Sequence, residues 1–278
     1  MPVDSGDSSR WDALPGGDVA APLTTRGAIG SLSARGEGGD TSAAGAAPSS
    51  LLRVSCDGAS LTVTLEGGRL AALTIAHDPA AGLAHRVWPS SLALAERALE
   101  EKGVSPQLFC CELGCGPGLA GVFWAAAGAR VVLTDLDPCL PLAERSVQLS
   151  GLSDRATVTR LAWGEPGGPG VAGAAAAAAG WGDLAARAAP DLLLAADVVY
   201  DPALFAPLLA TLAEFGRAGT PRVLLAHVRR WKTDRRFWAA ARREWAVVDV
   251  TPGDHTARAS SSHERGAQKV FELKWKGR

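Results

Sequence analysis

No charge of one sign dominates this chain. Its 28 Lys+Arg stand against 29 Asp+Glu in 278 residues, a net charge of −1. That excludes a polycation built for nucleic acid or for an acidic membrane surface. Apolar runs of about 18 or more residues, the length a membrane-spanning helix needs, are missing. The nearest candidate, residues 171–189, is alanine and glycine broken by Asp183 and Arg187. Cysteines are few: Cys56, Cys110, Cys111, Cys115 and Cys139. They contain no Cys-x-x-Cys pair, so neither a zinc site nor an even disulfide framework is indicated. Reduced intracellular thiols are the expectation. Tyrosine occurs once, at Tyr200.

What is present centres on residues 108–139. Leu108-Phe109-Cys110-Cys111-Glu112-Leu113 is short and apolar and runs into Gly114-Cys115-Gly116-Pro117-Gly118. Leu119 to Ala127 is apolar without proline, Gly128 follows, and Arg130-Val131-Val132-Leu133-Thr134-Asp135 closes the unit. This reads as strand, glycine loop, helix, strand, with Gly128 in the left-handed position past the helix. In open α/β sheets ligands lie off the carboxyl ends of the strands, so the loop and Asp135 face one crevice. The separation of Gly114 from Asp135 is close to the roughly 20 residues that place a carboxylate on a ribose diol. A dinucleotide is opposed by three details. Leu119 stands where a third glycine would be, Pro117 removes an N–H from the loop, and Glu112 adds an anion beside it. A ribose-bearing cation without phosphate fits better, and S-adenosylmethionine is such a molecule.

Residues 1–50 are rich in Gly, Ala, Ser, Asp and Arg and hold few large apolar side chains. They are expected to be a disordered low-complexity tail, because little there repays the entropy of ordering. Asp4, Asp7, Asp12, Asp18, Glu37 and Asp40 argue against an acid-poor transit peptide. Leu61 to Leu65 alternates as a strand before a Gly67-Gly68 turn, a small N-terminal β element. Trp88-Pro89-Ser90-Ser91 precedes a helix over 92–101 capped by Ser90 or Ser91. Further helices are predicted over 138–149, 202–215 and 232–245. Strands are predicted over 156–161, 191–196, 222–226, 246–250 and 269–275. Residues 165–189, nearly all Gly, Ala and Pro, read as a loop insertion unless the alanines close into a short helix. Alternating strands and helices predict a parallel α/β sheet, and the last two strands an antiparallel finish.

The set Trp88-Pro89-Ser90-Ser91, Glu112-Leu113-Gly114-Cys115-Gly116, Thr134-Asp135, Leu161-Ala162-Trp163-Gly164 and Ala195-Ala196-Asp197-Val198-Val199-Tyr200, in that order, resembles the family 16 lysine methyltransferases, the methyltransferase-like 21 group. The resemblance covers residues 51–278. It implies a class I, Rossmann-like seven-stranded sheet with a terminal antiparallel strand. It also implies methyl transfer from S-adenosylmethionine to a lysine of a non-histone protein. Cofactor contacts are implied at Trp88, Glu112, Gly114, Cys115, Gly116, Asp135, Trp163 and Ala196, and catalytic roles at Asp197 and Tyr200. A metal is not implied. The implied partner is a protein substrate, such as a chaperone, translation factor or ATPase. Membrane and nucleic acid are not implied. A monomer in the cytoplasm, ahead of nucleus or organelle, is the expectation.

The residues themselves leave alternatives open. Asp197 can accept a hydrogen bond from an incoming amine, or it can cap the helix after Pro202, although Asp201 is better placed for capping. Tyr200 can wall the lysine stem and offer its hydroxyl. Enzymes that methylate base amines place prolines where Val198 and Val199 stand, which favours an aliphatic amine here over a nucleic-acid base or small molecule. Arg222, Arg229, Arg230, Lys232, Arg235, Arg236, Arg242 and Arg243 form a basic segment that reads as a solvated face. A non-catalytic, cofactor-binding partner protein is the third alternative.

Overall fold

The computed structural model describes residues 52–56, 60–65, 72–251 and 268–277. The tail expected over residues 1–50 lies outside them. Among the described residues there are two sheets. A small antiparallel one holds β1 (Leu52–Cys56), β2 (Ser60–Leu65) and β3 (Leu73–Ala76) in that order. The main sheet has seven strands: β4 (Phe109–Leu113), β5 (Arg130–Asp135), β6 (Ala156–Arg160), β7 (Leu192–Ala196), β8 (Arg222–Val228), β9 (Trp245–Asp249) and β10 (Gln268–Trp275). Their order across the sheet is β6-β5-β4-β7-β8-β10-β9. β10 pairs antiparallel with both β8 and β9, and the other pairings are parallel. The sheet is therefore doubly wound, with its reversal of strand order at β4, the strand that runs into the glycine loop.

Alternation along the strands sends side chains to two cores. Cys110, Leu192, Leu194 and Leu224 pack with α1 (Pro89–Glu100), α2 (Leu119–Ala127) and α3 (Leu140–Leu149). Phe109, Cys111, Leu113, Leu193 and Leu225 pack on the opposite face. That face is covered by α4 (Gly168–Ala178), α5 (Gly182–Ala185), α6 (Phe205–Ala218) and α7 (Asp234–Glu244). All five residues of β4 are buried, as a central parallel strand requires. β3 is fastened to α3 by serines one turn apart. Ser146 Oγ accepts from Ala76 N–H at 3.0 Å, and Ser150 Oγ accepts from Thr74 N–H at 3.2 Å.

One open alternative is decided and one expectation changes. Within 165–189 the alanines do close into helix: α4 and α5 lie in the connection that carries the chain from β6, at the sheet edge, back to β7 beside β4. A right-handed parallel crossover needs such an element. Alanine and glycine suit it because they let α4 lie close on the second core; Ala172 and Ala176 are fully buried, and Trp181 and Leu184 nearly so. Composition left loop and helix both open, since a helix of alanine and glycine shows no polar face. The expectation that changes is at α1, which begins at Pro89 rather than Leu92, with proline at its first position. Neither serine caps it. Ser91 instead donates back to the Trp88 carbonyl at 2.6 Å.

These helices make a sharp prediction. Ala176→Asp places an unpaired carboxylate in the core behind β4 and should abolish cooperative thermal unfolding, whereas Ala177→Asp, one residue on and exposed, should leave the melting temperature nearly unchanged. Equal effects of the two would mean that α4 does not pack as described.

Candidate active site at the carboxyl edge of the sheet

Register brings the site together. Leu113 is level with Thr134 on β5 and with Ala195 on β7, and Ala196 is level with Ala226 on β8. Gly114, Asp135 and Asp197 therefore leave the sheet side by side, although more than 80 residues separate the first from the last. After β4 ends, Cys115 N–H still donates to the Thr134 carbonyl at 3.0 Å, holding the loop against β5.

Asp135 is organised by backbone donors. Its Oδ2 accepts from Gly116 N–H and its Oδ1 from Leu136 N–H, each at 2.7 Å. Burial raises its pKa, against the pull of these two N–H groups. Two glycines of the loop are dictated by contact as well as by conformation. Gly114 has φ +65°, and a Cβ there would stand 2.7 Å from the Trp163 indole and 3.2 Å from Val198. Gly116 has φ +51°, and a Cβ would stand 2.8 Å from the Ala84 carbonyl oxygen. Trp163 thus lies against one side of the loop, and the turn at 83–85 covers the other. That turn is tied across to the segment after Asp135, where His85 Nε2 and the Pro138 carbonyl are 3.1 Å apart. Sequence reasoning did not single out 79–85; two short 3₁₀ turns leave little periodic signal.

Glu112, expected beside the cofactor, is 1% exposed and lies beneath α2. Its carboxyl accepts from Gly121 N–H at 2.8 Å. Alternation explains this: on β4, Cys110 and Glu112 face the α2 side. Burial lifts its pKa to about 8. Cys115 and Cys139 sit near Asp135, and burial, with that carboxylate adding to it, pushes both thiols up, Cys139 to about 12. Neither is a thiolate nucleophile at neutral pH.

The far side of the site is built on Asp197, the one non-glycine residue with positive φ (+61°) among those described. Its N–H donates to the Ala226 carbonyl at 2.9 Å, and the left-handed turn sends its side chain toward the loop after β8. There Arg230 donates to both carboxylate oxygens, Nη1 to Oδ1 at 2.7 Å and Nη2 to Oδ2 at 2.5 Å. The Arg230 guanidinium also lies over the Trp88 ring, 5.1 Å from its centroid, and Arg86 lies 5.0 Å from the same centroid. Trp88 is steadied by its own Nε1–H, which donates to the Leu83 carbonyl at 3.0 Å. Helix capping falls to Asp201, whose side chain accepts from Ala203 N–H. Arg230 is the residue that sequence reasoning missed. The basic segment holds as a solvated face for Lys232, Arg235, Arg236, Arg242 and Arg243. It does not hold for Arg230, nor for Arg222, which pairs with Glu101 and Glu272. The loop that carries Arg230 is fixed by buried Asp234, whose Oδ2 accepts from Arg230 N–H and Trp231 N–H and meets His227 Nε2, each at 3.2 Å.

Tyr200 sits on the Asp135 side of the edge. Burial, then the charges of Asp135 and Asp201, push its hydroxyl up to about 12, so it keeps its proton at neutral pH. Val198 and Val199 are buried and pack into the second core rather than flanking an open slot. The residues fit S-adenosylmethionine: a carboxylate for a ribose diol, a loop whose Pro117 brings no N–H for phosphate, and an indole at Trp163 beside the loop.

The pKa of Glu112 gives a pH test. Between its ordinary value near 4.5 and about 8, the folded chain holds a proton that the unfolded chain releases. Stability from this group is therefore lost as pH rises through that window. Glu112→Gln keeps an acceptor for Gly121 N–H and cannot ionise. Melting temperatures from pH 5 to pH 8 should fall more steeply for the parent than for the variant, and parallel curves would show that Glu112 is ionised in the fold.

Comparison with known proteins agrees with this geometry. A family model described as lysine methyltransferase matches residues 69–244. The protein-lysine N-methyltransferase EFM6 of Saccharomyces cerevisiae is 30% identical over 66% of this chain and 80% of its own length. The protein N-lysine methyltransferase METTL21A of Danio rerio is 31% identical over 61% of this chain and 72% of its own. The histone-arginine methyltransferase METTL23 of Homo sapiens is 32% identical over 45% of this chain and 60% of its own. With a doubly wound sheet, a glycine loop clasped by Asp135, and an acid-Val-Val-Tyr turn at the end of β7, the chain belongs to the lysine methyltransferase family, which takes its methyl group from S-adenosylmethionine.

Proposed function

We propose that Asp197 receives the amine of a lysine on a folded, non-histone protein, and that Asp135, Gly114, Cys115, Gly116, Trp163, Trp88 and Ala196 surround the cofactor. One observation supports this reading most: the Asp197 carboxylate at the end of β7 and the Trp88 indole ahead of α1 already hold a side-chain cation, that of Arg230. When bound, the cofactor supplies an electrophilic methyl on a sulfonium. The chain must then bring an amine lone pair in line and shed the proton of a lysine ammonium. Asp197 accepts an N–H of the amine and so fixes where the lone pair points. The ammonium passes its proton to solvent water before transfer; burial and a cationic sulfonium nearby would lower the lysine pKa, while the Asp197 carboxylate opposes that shift. Tyr200, protonated at neutral pH, supplies a hydroxyl rather than a base. Glu112 acts at one remove, holding α2 to the strand that carries the loop.

An exposed lysine of a chaperone, translation factor or ATPase fits a site lying at the sheet edge, and a monomer suffices to build it. A reducing compartment such as the cytoplasm suits four free thiols packed in the central strand, the loop and the turn after Asp135.

Asp197→Asn tests the role directly, since it preserves the shape of the turn. It should bind S-adenosylhomocysteine as the parent does, yet lose turnover by roughly 30- to 1000-fold, the cost of a missing positioning group in a desolvated site. Calorimetry, melting temperature and single-turnover methyl transfer on one sample decide it. Full turnover with a lowered melting temperature would assign Asp197 a purely structural role.

A further inference from the structure

We propose that Arg230 is a specificity-determining gate: in the resting chain it occupies the cation site between Asp197 and Trp88, and a substrate lysine must displace it. This rests on Asp197 being the amine acceptor. The Asp197 side chain is only 4% exposed, and Arg230 takes a lone pair on each of its oxygens, so a second cation has little access to the carboxylate while Arg230 is in place. Arg230 itself is 30% exposed and forms the solvent side of the pair. It is carried by the connection between β8 and α7, in neither a strand nor a helix, so its side chain can leave without disturbing the sheet. The base of that connection stays fixed, because Asp234 holds the N–H groups of Arg230 and Trp231. The guanidinium's planar fork matches both carboxylate oxygens, which makes it a strong resident competitor. Asp197 also holds its strained left-handed backbone, more than a pair kept only for stability requires.

The consequence concerns substrate choice. An intramolecular cation is present at an effective concentration on the order of millimolar, so a free amine at lower concentration loses the competition. A lysine delivered by a docked protein enjoys the same advantage as Arg230 and wins when its docking energy is added. The gate thus restricts transfer to lysines on proteins that bind elsewhere on the enzyme. It also keeps Asp197 paired when no substrate is present, which avoids a lone buried charge.

The test uses poly-L-lysine, an undocked amine, as probe, with labelled S-adenosylmethionine and the full chain. Arg230→Met should lower KM for poly-L-lysine by about tenfold or more, since a competitor held at effective millimolar concentration has been removed. Added methylguanidinium should then inhibit Arg230→Met competitively. Arg230→Lys, which cannot grip both oxygens, should fall between parent and Arg230→Met. It also serves as the readout if Arg230→Met does not fold, as judged by melting and S-adenosylhomocysteine binding. An unchanged or raised KM in both variants, no transfer to poly-L-lysine by either, or rescue of a slow Arg230→Met by methylguanidinium would each overturn the gate, the last by making Arg230 part of the machinery. Asp197→Asn is measured alongside: if it keeps full turnover, the acceptor reading has failed, whatever Arg230 does.

Discussion

The register of three parallel strands is the constraint on which the site depends. Leu113, Thr134 and Ala195 stand level, so the glycine loop, Asp135 and Asp197 emerge together from one edge. A slip of one residue between β4 and either neighbour would turn that neighbour's core side chains to the wrong face. The two hydrophobic cores thereby hold the chemistry in place. Leu192 and Leu194 bind the register to α1 and α2, while Leu193 and Ala195 bind it to α4 and α6. The glycine loop adds little of its own. It is clasped by Asp135 from one strand, by the Thr134 carbonyl, and by Trp163 from the next turn along.

Charge compensation governs the rest of the edge. Asp135 is satisfied by backbone N–H groups and stays partly open, as suits a group that exchanges one hydrogen-bonding partner for another. Asp197 is satisfied by a guanidinium and is nearly closed. Glu112 is closed entirely, and burial raises its pKa to about 8. Three carboxyl groups on adjacent strands thus serve three ends, set by what surrounds them rather than by residue type.

Much of this was legible in the sequence. The strand, glycine loop, helix and strand around Gly114 carry punctuation that only a βα unit explains, and the spacing to Asp135 placed both on one edge. The antiparallel finish followed from two strands with no helix between them. Other features were hidden for physical reasons. A helix of alanine and glycine such as α4 shows no amphipathic stripe, so its low complexity left loop and helix both open. The start of α1 at Pro89 was masked by two serines that resemble caps. Glu112 was placed in the crevice by its closeness to the glycines, although strand alternation turns it under α2. Arg230 was lost in a run of basic residues; what separates it from Arg235 or Arg242 is the partner that the fold brings from 33 residues away. Pairings across the sheet of this kind leave no local signal.

Lysine is the residue that this family methylates. The most direct measurement is to incubate the full chain with tritiated S-adenosylmethionine and a hypomethylated cell extract, then hydrolyse the labelled protein and separate its amino acids. Label is expected in methylated lysine, carried by a small number of folded proteins. Label in methylated arginine, or in nucleic acid, would contradict it.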